Sequence, residues 1–138
     1  MWNVNTWERQ HGMEREAMKK GTCDDLIVGG LSEWRLRRVT QYIGQNLQRP
    51  LRLEELSAVV HMSPYHFAHL FKRRTGVSPH RFILQRRIEK ASELLAAPTL
   101  PIAAVGRSVG FRTPSHFSTT FRRITGFTPS GYRRSEEA

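Results

Sequence analysis

Apolar residues between positions 53 and 132 recur at spacings of three and four, which is the period of an amphipathic helix. Two stripes with this spacing come first, formed by Leu53, Leu56 and Val60 and by Phe67, Leu70 and Phe71. Two matching stripes follow about fifty residues later, formed by Ile102, Val105 and Val109 and by Phe117 and Phe121. The pattern predicts helices along this whole range and therefore an all-α fold.

The second stripe of each pair belongs to a segment that occurs twice in the chain. Residues 63–82 read SPYHFAHLFKRRTGVSPHRF, and residues 113–132 read TPSHFSTTFRRITGFTPSGY. A repeat of this kind indicates a duplicated structural unit, because each copy specifies the same local structure. We therefore expect two units that are built alike.

The turn ahead of each repeated segment differs in length between the two units. Met62 and Phe111 match at a spacing of 49 residues, whereas Phe67 and Phe117 match at 50. The second unit is therefore expected to contain one extra residue in the turn between its helices, around Gly110 to Thr113.

Each repeated segment also contains the residues that start and end helices. Starts are indicated by a capping hydroxyl followed by proline at the first helical position, at Ser63-Pro64, Ser78-Pro79, Thr113-Pro114 and Thr128-Pro129. Gly76 and Gly126 suit the left-handed conformation that commonly ends a helix, so both are predicted to have positive φ.

Two longer helices complete the predicted organisation. Ser32 can cap a helix from about Glu33 to Leu47, and a long helix is expected from about Pro79 to Ala97. A short helix, a tight turn and a longer capped helix make a helix-turn-helix unit. We predict about seven helices, with one helix-turn-helix subdomain at about 52–76 and another at about 101–126, joined by the long central helix.

Positive charge is concentrated in the duplicated part of the chain. The 138 residues include 22 Lys and Arg against 12 Asp and Glu, a net charge of +10. Residues 1–30 hold 4 basic and 5 acidic side chains, whereas residues 31–138 hold 18 and 7. A basic domain attracts polyanions, of which nucleic acid is the commonest. Residues 1–30 show no sustained apolar period, so we expect a poorly ordered tail or linker before a binding domain at 31–138.

Several other functional classes are disfavoured by the composition. A single cysteine, Cys23, excludes an internal disulfide framework and a multi-cysteine zinc site. The six histidines include no zinc-binding helical pair with a Glu base, so no metal and no cofactor is expected. No run approaches the ~18 apolar residues of a membrane span, and no secretion signal is present. These features predict a cytoplasmic protein that is not associated with a membrane.

The capped helix of each repeat buries one stripe and offers the opposite face. The offered positions are Tyr65, Ala68, His69 and Lys72 in the first copy and Ser115, His116, Thr119 and Arg122 in the second. Histidine and hydroxyl side chains can donate or accept hydrogen bonds at base edges, and a methyl group can pack on the thymine methyl. These faces are therefore candidates for reading DNA.

Taken together, the motifs resemble those of the AraC/XylS family of bacterial transcription regulators. The matching motifs are Leu53-x-x-Leu56-Ser57, Pro79-x-x-Phe82, Ile102-x-x-Val105, Gly110-Phe111 and Pro129-x-x-Tyr132. The resemblance covers roughly Leu31 to Arg134. Arg52 departs from it where the family has a capping hydroxyl or acid, and Gly106 departs where the family has alanine. Each departure is expected to weaken its helix by about 1 kcal/mol.

The resemblance implies which residues meet DNA. The family reads bases with the N-terminal half of each capped helix, which here means Tyr65, Ala68, His69, Ser115, His116 and Thr119. Basic residues at helix ends and in turns are expected to contact phosphates or to lie in the turn, namely Lys72, Arg73, Arg74, His80, Arg81, Arg112, Arg122 and Arg123. Because His66 and His116 share a repeat position, one or both could instead serve the turn.

The expected function is sequence-specific binding of double-stranded DNA by a transcription regulator, an activator that contacts RNA polymerase. No enzyme activity and no small-molecule effector site are expected in this chain. Two alternatives stay open, namely a non-specific architectural DNA-binding protein and a regulatory fragment of an Ada-type DNA repair protein. Cys23 alone cannot supply the cysteine cluster of that repair protein. The chain is either a small free-standing regulator or a fragment of a longer one.

Overall fold

The computed structural model describes residues 30–137, which form seven helices and no strand. The helices are α1 (Glu33–Gln45), α2 (Leu53–Val59), α3 (Pro64–Thr75), α4 (Pro79–Leu95), α5 (Ile102–Ser108), α6 (Pro114–Thr125) and α7 (Pro129–Glu137). The predicted all-α fold is confirmed. None of these seven helices has the length and apolar character needed to cross a membrane. The predicted tail falls almost entirely outside the described residues.

Residues 30–137 divide into two compact units. The first unit contains residues 30–46 and 51–82, and the second contains residues 47–50 and 83–137. Each unit therefore includes a short helix, a turn and one capped helix of the repeat. Helix α4 starts in the first unit and continues into the second, so its residues contribute to both cores.

The core of the first unit joins α1 to the aromatic residues of the first repeat. Its buried side chains are Leu36, Val39, Ile43, Leu56, Val60, Phe67, Leu70, Phe71 and Phe82. The Phe71 ring lies 5.6 Å from Phe67 and 5.3 Å from Phe82, centroid to centroid, and it meets Phe82 edge-on. Aromatic pairs favour such tilted and edge-on contacts over flat stacking. The stripe predicted from sequence is therefore the face that this unit buries.

The core of the second unit repeats this arrangement on the later part of α4. Its buried side chains are Ile88, Ala91, Leu95, Val105, Val109, Phe111, Phe117, Phe121 and Tyr132. Phe121 lies 5.7 Å from Phe117 and 5.5 Å from Tyr132, both edge-on. Because Tyr132 stands at the repeat position of Phe82, the same aromatic trio closes both cores.

Helix ends follow the predicted chemistry. Ser63 Oγ accepts a hydrogen bond from His66 N at 3.3 Å, and Thr113 Oγ1 accepts one from His116 N at 3.1 Å. Gly76 and Gly126 end α3 and α6 with φ of 86° and 84°, which confirms the predicted left-handed ends. Ser32, Ser78 and Thr128 cap the following helices in the same way.

The turns inside the two helix-turn-helix units differ by the predicted single residue. Residues 60–63 separate α2 from α3, whereas residues 109–113 separate α5 from α6. Both turns pass through a left-handed residue at the same repeat position, namely His61 with φ of 56° and Gly110 with φ of 99°. The first turn accepts a side chain at this position, and the second uses glycine.

The two departures from the family pattern have different structural outcomes. Arg52 makes no side-chain hydrogen bond as the N-cap of α2, as expected from its side chain. Gly106 is buried in α5, and a Cβ atom placed on it would lie 2.8 Å from Phe117 Cδ2 and 2.9 Å from Phe117 Cγ. The space that an alanine methyl group would occupy is therefore filled by the Phe117 ring. Glycine at position 106 lowers the helix propensity of α5 but allows this close packing.

Candidate nucleic-acid interface

Helix α3 presents three of the predicted base-reading side chains on its outer face. Tyr65 is 85% exposed, His69 is exposed, and Ala68 between them is half-buried. The opposite face of the helix is held in the core by Phe67 and Phe71, which are fully buried. Burial of the aromatic stripe therefore sets the rotation of α3 about its own axis, and with it the direction of the outer face.

Helix α6 presents its predicted reading residues in the same way. Ser115, His116 and Thr119 are all exposed, and Phe117 and Phe121 hold the inner face. The His116 ring also meets the Phe111 ring edge-on, with centroids 5.1 Å apart. His116 is thus braced against the turn residue that precedes α6, while the rest of its surface faces solvent.

Ser118 is a further candidate that the sequence reasoning missed. It is exposed on α6, between His116 and Thr119. Its repeat counterpart is Ala68, which was assigned to the reading face of α3. Applying the spacing of 50 residues to the whole set would have identified Ser118, because equivalent positions of the two helices share one orientation.

Most of the predicted phosphate contacts are exposed side chains. They are Lys72, Arg73, His80, Arg81, Arg112, Arg122 and Arg123. The last turns of α3 and α6 contain Lys72, Arg73, Arg122 and Arg123. Positive charge at a helix C-terminus also interacts favourably with the helix dipole. Part of their contribution is therefore to helix stability, and their exposure leaves the charges available to an anion.

Arg74 differs from the other predicted phosphate contacts. Its Nη2 donates a hydrogen bond to Glu33 Oε2 at 3.0 Å, and its side chain is only 11% exposed. The equivalent position in the second unit is Ile124, which packs against that unit's core. Arg74 therefore occupies an inward position that joins α3 to the start of α1, and its predicted phosphate contact is not part of the proposal below.

The charge distribution of the repeated segments is one-sided. Neither residues 63–82 nor residues 113–132 contain an aspartate or a glutamate. An exposed face with cations and no carboxylates attracts a polyanion without local repulsion. Each capped helix thus combines donor and acceptor side chains near its start with exposed cations near its end, which suits base edges and phosphates respectively.

Sequence comparison places this arrangement in a known family. A family model described as a helix-turn-helix domain matches residues 56–135. The Probable transcriptional regulator LumQ of Photobacterium leiognathi is 36% identical over 95 residues, which are 69% of this chain and 38% of that protein. The chain therefore spans well under half the length of this relative.

Solved structures show the same fold. The C-terminal domain of AraT, a response regulator from Geobacillus stearothermophilus, superposes with a TM-score of 0.70 at 35% identity, covering 76% of this chain and 87% of that one. The DNA-binding domain of the global transcriptional factor AdpA, solved with a target DNA, gives 0.68 at 29% identity, covering 72% and 90%. The chain thus belongs to the AraC/XylS family of transcription regulators, and residues 56–135 are its helix-turn-helix DNA-binding domain.

Proposed function

We propose that this protein regulates transcription by reading two successive major-groove segments of one DNA site with α3 and α6. The observation that carries the proposal is the repeated helix face, polar at its start and cationic at its end, with no acidic residue in either repeat. A single chain with two reading helices can bind without dimerising. Its site is therefore expected to be non-palindromic and about two helical turns long.

Base recognition in this proposal is divided between small polar groups and histidine. Tyr65, His69, His116 and Thr119 can reach donors and acceptors of base edges, and the Ala68 methyl can meet a thymine methyl. Ser115 and Ser118 add two hydroxyls on α6, each able to donate or accept. No arginine lies in the first half of either helix. Each single contact is therefore expected to discriminate modestly, and specificity is shared among several base pairs.

Phosphate contacts in this proposal come from the ends of the helices and from the turns. Arg73 and Arg123 lie at equivalent positions near the ends of α3 and α6, and Arg81 lies in the first turn of α4. Such contacts orient the protein on the duplex and give binding its dependence on salt. Contacts of this kind act on all sequences alike.

The regulatory role follows from the family and is part of the proposal. We propose that the protein acts in the bacterial cytoplasm at the nucleoid, as an activator that binds beside a promoter and contacts RNA polymerase. A non-specific architectural protein is the main rival, because the same cations would also bind DNA without base readout. An Ada-type repair protein is the other rival, and the single cysteine of these 138 residues, Cys23, cannot by itself provide its cysteine cluster.

Selection of bound sites from random DNA tests the proposal directly. The parent protein is expected to enrich one non-palindromic motif with two informative blocks about ten base pairs apart. His69→Ala is expected to relax preference in one block and Thr119→Ala in the other. Arg73→Ala serves as the matched control, because loss of a phosphate contact weakens all sequences similarly and lowers the salt slope by about one.

The rival gives a different result in the same experiment. A charge-only binder would enrich no motif, and both reading-helix variants would then behave like Arg73→Ala. A palindromic motif bound by two chains would refute the proposed use of two helices on one chain.

A further inference from the structure

Arg87, on the central helix α4, fastens the segment at residues 47–50 to the second unit. Its Nε donates a hydrogen bond to the carbonyl oxygen of Leu47 at 3.0 Å, and its Nη2 donates one to that of Arg49 at 2.8 Å. The guanidinium is half-buried there, and burial lowers the pKa of Arg87 from its ordinary value. A planar fork of donors suits two carbonyls held side by side, which a lysine could not bridge in the same way.

A second arginine makes the same kind of clamp elsewhere in this unit. Arg133 Nε donates to the Leu95 carbonyl at 3.1 Å, and Arg133 Nη2 donates to that of Ala97 at 3.4 Å. Leu47 and Leu95 are the last buried residues before the two helix-turn-helix units. The arginines do not share a repeat position, because Arg87 lies eight residues after its helix start and Arg133 only four. Arginines at two non-equivalent positions of the repeat thus make the same kind of contact.

The Arg87 clamp also lies directly against the turn of the second helix-turn-helix unit. A Cβ atom placed on Gly110 would overlap the Leu47 carbonyl oxygen and would lie 2.9 Å from Arg87 Nε. The turn backbone therefore rests directly on the clamped segment, and the close approach leaves no room for a side chain. In the first unit the equivalent turn residue is His61, whose side chain is exposed.

The seated turn leads directly into the reading helix. Gly110 is followed by Phe111, whose amide donates to the Gly106 carbonyl at 3.0 Å and whose side chain is buried. The Phe111 ring then contacts both Phe117, 5.3 Å away in the core, and His116, 5.1 Å away on the reading face. A displacement of the turn is thus transmitted to the start of α6 through packed rings.

We propose that Arg87 is a positioning residue for the second reading helix, holding residues 47–50 as the support on which the Gly110 turn is seated. Arg87 itself need not touch DNA. The inference rests on the proposed function, since it assumes that α6 reads bases. Loss of the guanidinium removes donors from two carbonyls and releases the turn. Discrimination should then fall at the base pairs read by α6 and persist at those read by α3.

The experiment compares two changes on opposite sides of this contact in the full chain. Arg87→Gln removes the fork, and Gly110→Ala pushes the turn away from its support. Gly126→Ala is the matched control for the glycine change, because Gly126 also has positive φ but no neighbouring atom lies within 4 Å of its added Cβ. Arg133→Gln is the control for the arginine change, because it opens a similar clamp on residues 95–97 and leaves the segment against Gly110 unchanged.

Each variant is assayed against single base-pair substitutions of the selected site, at a temperature where melting curves show it folded. Arg87→Gln and Gly110→Ala are expected to lose about tenfold in discrimination at the base pairs where Thr119→Ala loses its preference. Both should keep full discrimination at the base pairs where His69→Ala loses its preference. Gly126→Ala and Arg133→Gln should keep both sets. Arg87→Lys, which retains the charge without the fork, should show the same pattern more weakly and covers the case in which Arg87→Gln does not fold.

A second measurement separates this inference from the proposed function. In the absence of DNA, the amide chemical shifts of the Arg87→Gln variant are expected to differ from those of the parent at residues 47–50 and 109–119. This result does not depend on how the protein binds DNA. Unchanged shifts at 109–119 would overturn the positioning role. A uniform loss of discrimination in both blocks by Arg87→Gln would also overturn it. The same conclusion would follow if Gly126→Ala lost discrimination at the same base pairs as Gly110→Ala. If the shifts move but Thr119→Ala affects no particular base pair, the base-reading role of α6 fails and the seating of the turn stands.

Discussion

Replacement of Gly106 by alanine should raise the helix propensity of α5 and at the same time create a steric clash in the core of the second unit. Gly106 lies in the interior of α5, where alanine is favoured over glycine by about 1 kcal/mol. The added Cβ would nevertheless meet the Phe117 ring at 2.8 Å and 2.9 Å, and also Phe117 Cβ at 3.2 Å. Phe117 is 1% exposed and is surrounded by the core of the second unit, so its ring has little room to withdraw.

The expected net effect follows from these two terms. Overpacking a well-packed core costs roughly 1–3 kcal/mol. Subtracting the gain in propensity, Gly106→Ala should lower the free energy of unfolding by up to about 2 kcal/mol. For a domain of 60–100 residues, each kcal/mol shifts Tm by about 4–8 °C. Phe117→Ala removes Cγ and Cδ2, the two atoms nearest the added Cβ. In a Phe117→Ala background the same glycine change should therefore stabilise the protein by about 1 kcal/mol.

A double-mutant cycle measures this reversal of sign. The parent, both single variants and the double variant are unfolded with urea and by heat, followed by far-ultraviolet circular dichroism. The expected coupling energy is about 1–3 kcal/mol. Equal stabilisation by alanine in both backgrounds would refute the packing argument and leave propensity as the controlling term.

Three further predictions concern the core, the charges and the response to alkali. Phe71→Ala and Phe121→Ala should each lower the free energy of unfolding by roughly 3–5 kcal/mol in urea titrations, because each removes a fully buried ring; a variant melting like the parent would contradict this. Arg74→Ala should lower Tm and leave the salt slope of DNA binding nearly unchanged. Arg73→Ala should leave Tm nearly unchanged and reduce the salt slope. A reduced salt slope for Arg74→Ala would show that Arg74 also contacts phosphate. Burial raises the pKa of Tyr132, as does a neighbouring carboxylate, so the native state holds this proton more tightly than the unfolded state does. This contribution to stability is complete below about pH 10, the ordinary tyrosine value, and is lost as pH rises toward the raised pKa; Tyr132→Phe should remove that part of the alkaline slope, and an unchanged slope would contradict the assignment.

Sequence reasoning succeeded where local chemistry decides the structure. A hydroxyl-proline pair at Ser63 and Thr113 and a glycine at positions 76 and 126 specify helix ends, because caps and left-handed residues depend on the chain within one turn. The single-residue difference between the two turns was likewise readable, since it is a difference in spacing. The aromatic stripes followed from helical periodicity.

The same reasoning did not identify contacts whose partner lies far along the chain. Arg74 looked like its exposed neighbour Arg73, yet it pairs with Glu33, 41 residues away. Its inward position could have been inferred from the repeat, because Ile124 is its counterpart. The assignments of bases and phosphates to particular side chains remain predictions, since exposure shows which groups are available and not what they bind.

The sequence alone determined the all-α class, the duplication, the helix boundaries to within about two residues and the polar and apolar faces of the capped helices. These features depend on periodicity and on capping, which act over a few neighbouring residues. Only the tertiary structure decided that the space beside Gly106 is filled by Phe117 and that Gly110 rests on the clamp made by Arg87. Such contacts join residues that are distant in sequence, and their geometry is fixed only when close packing brings the helices together.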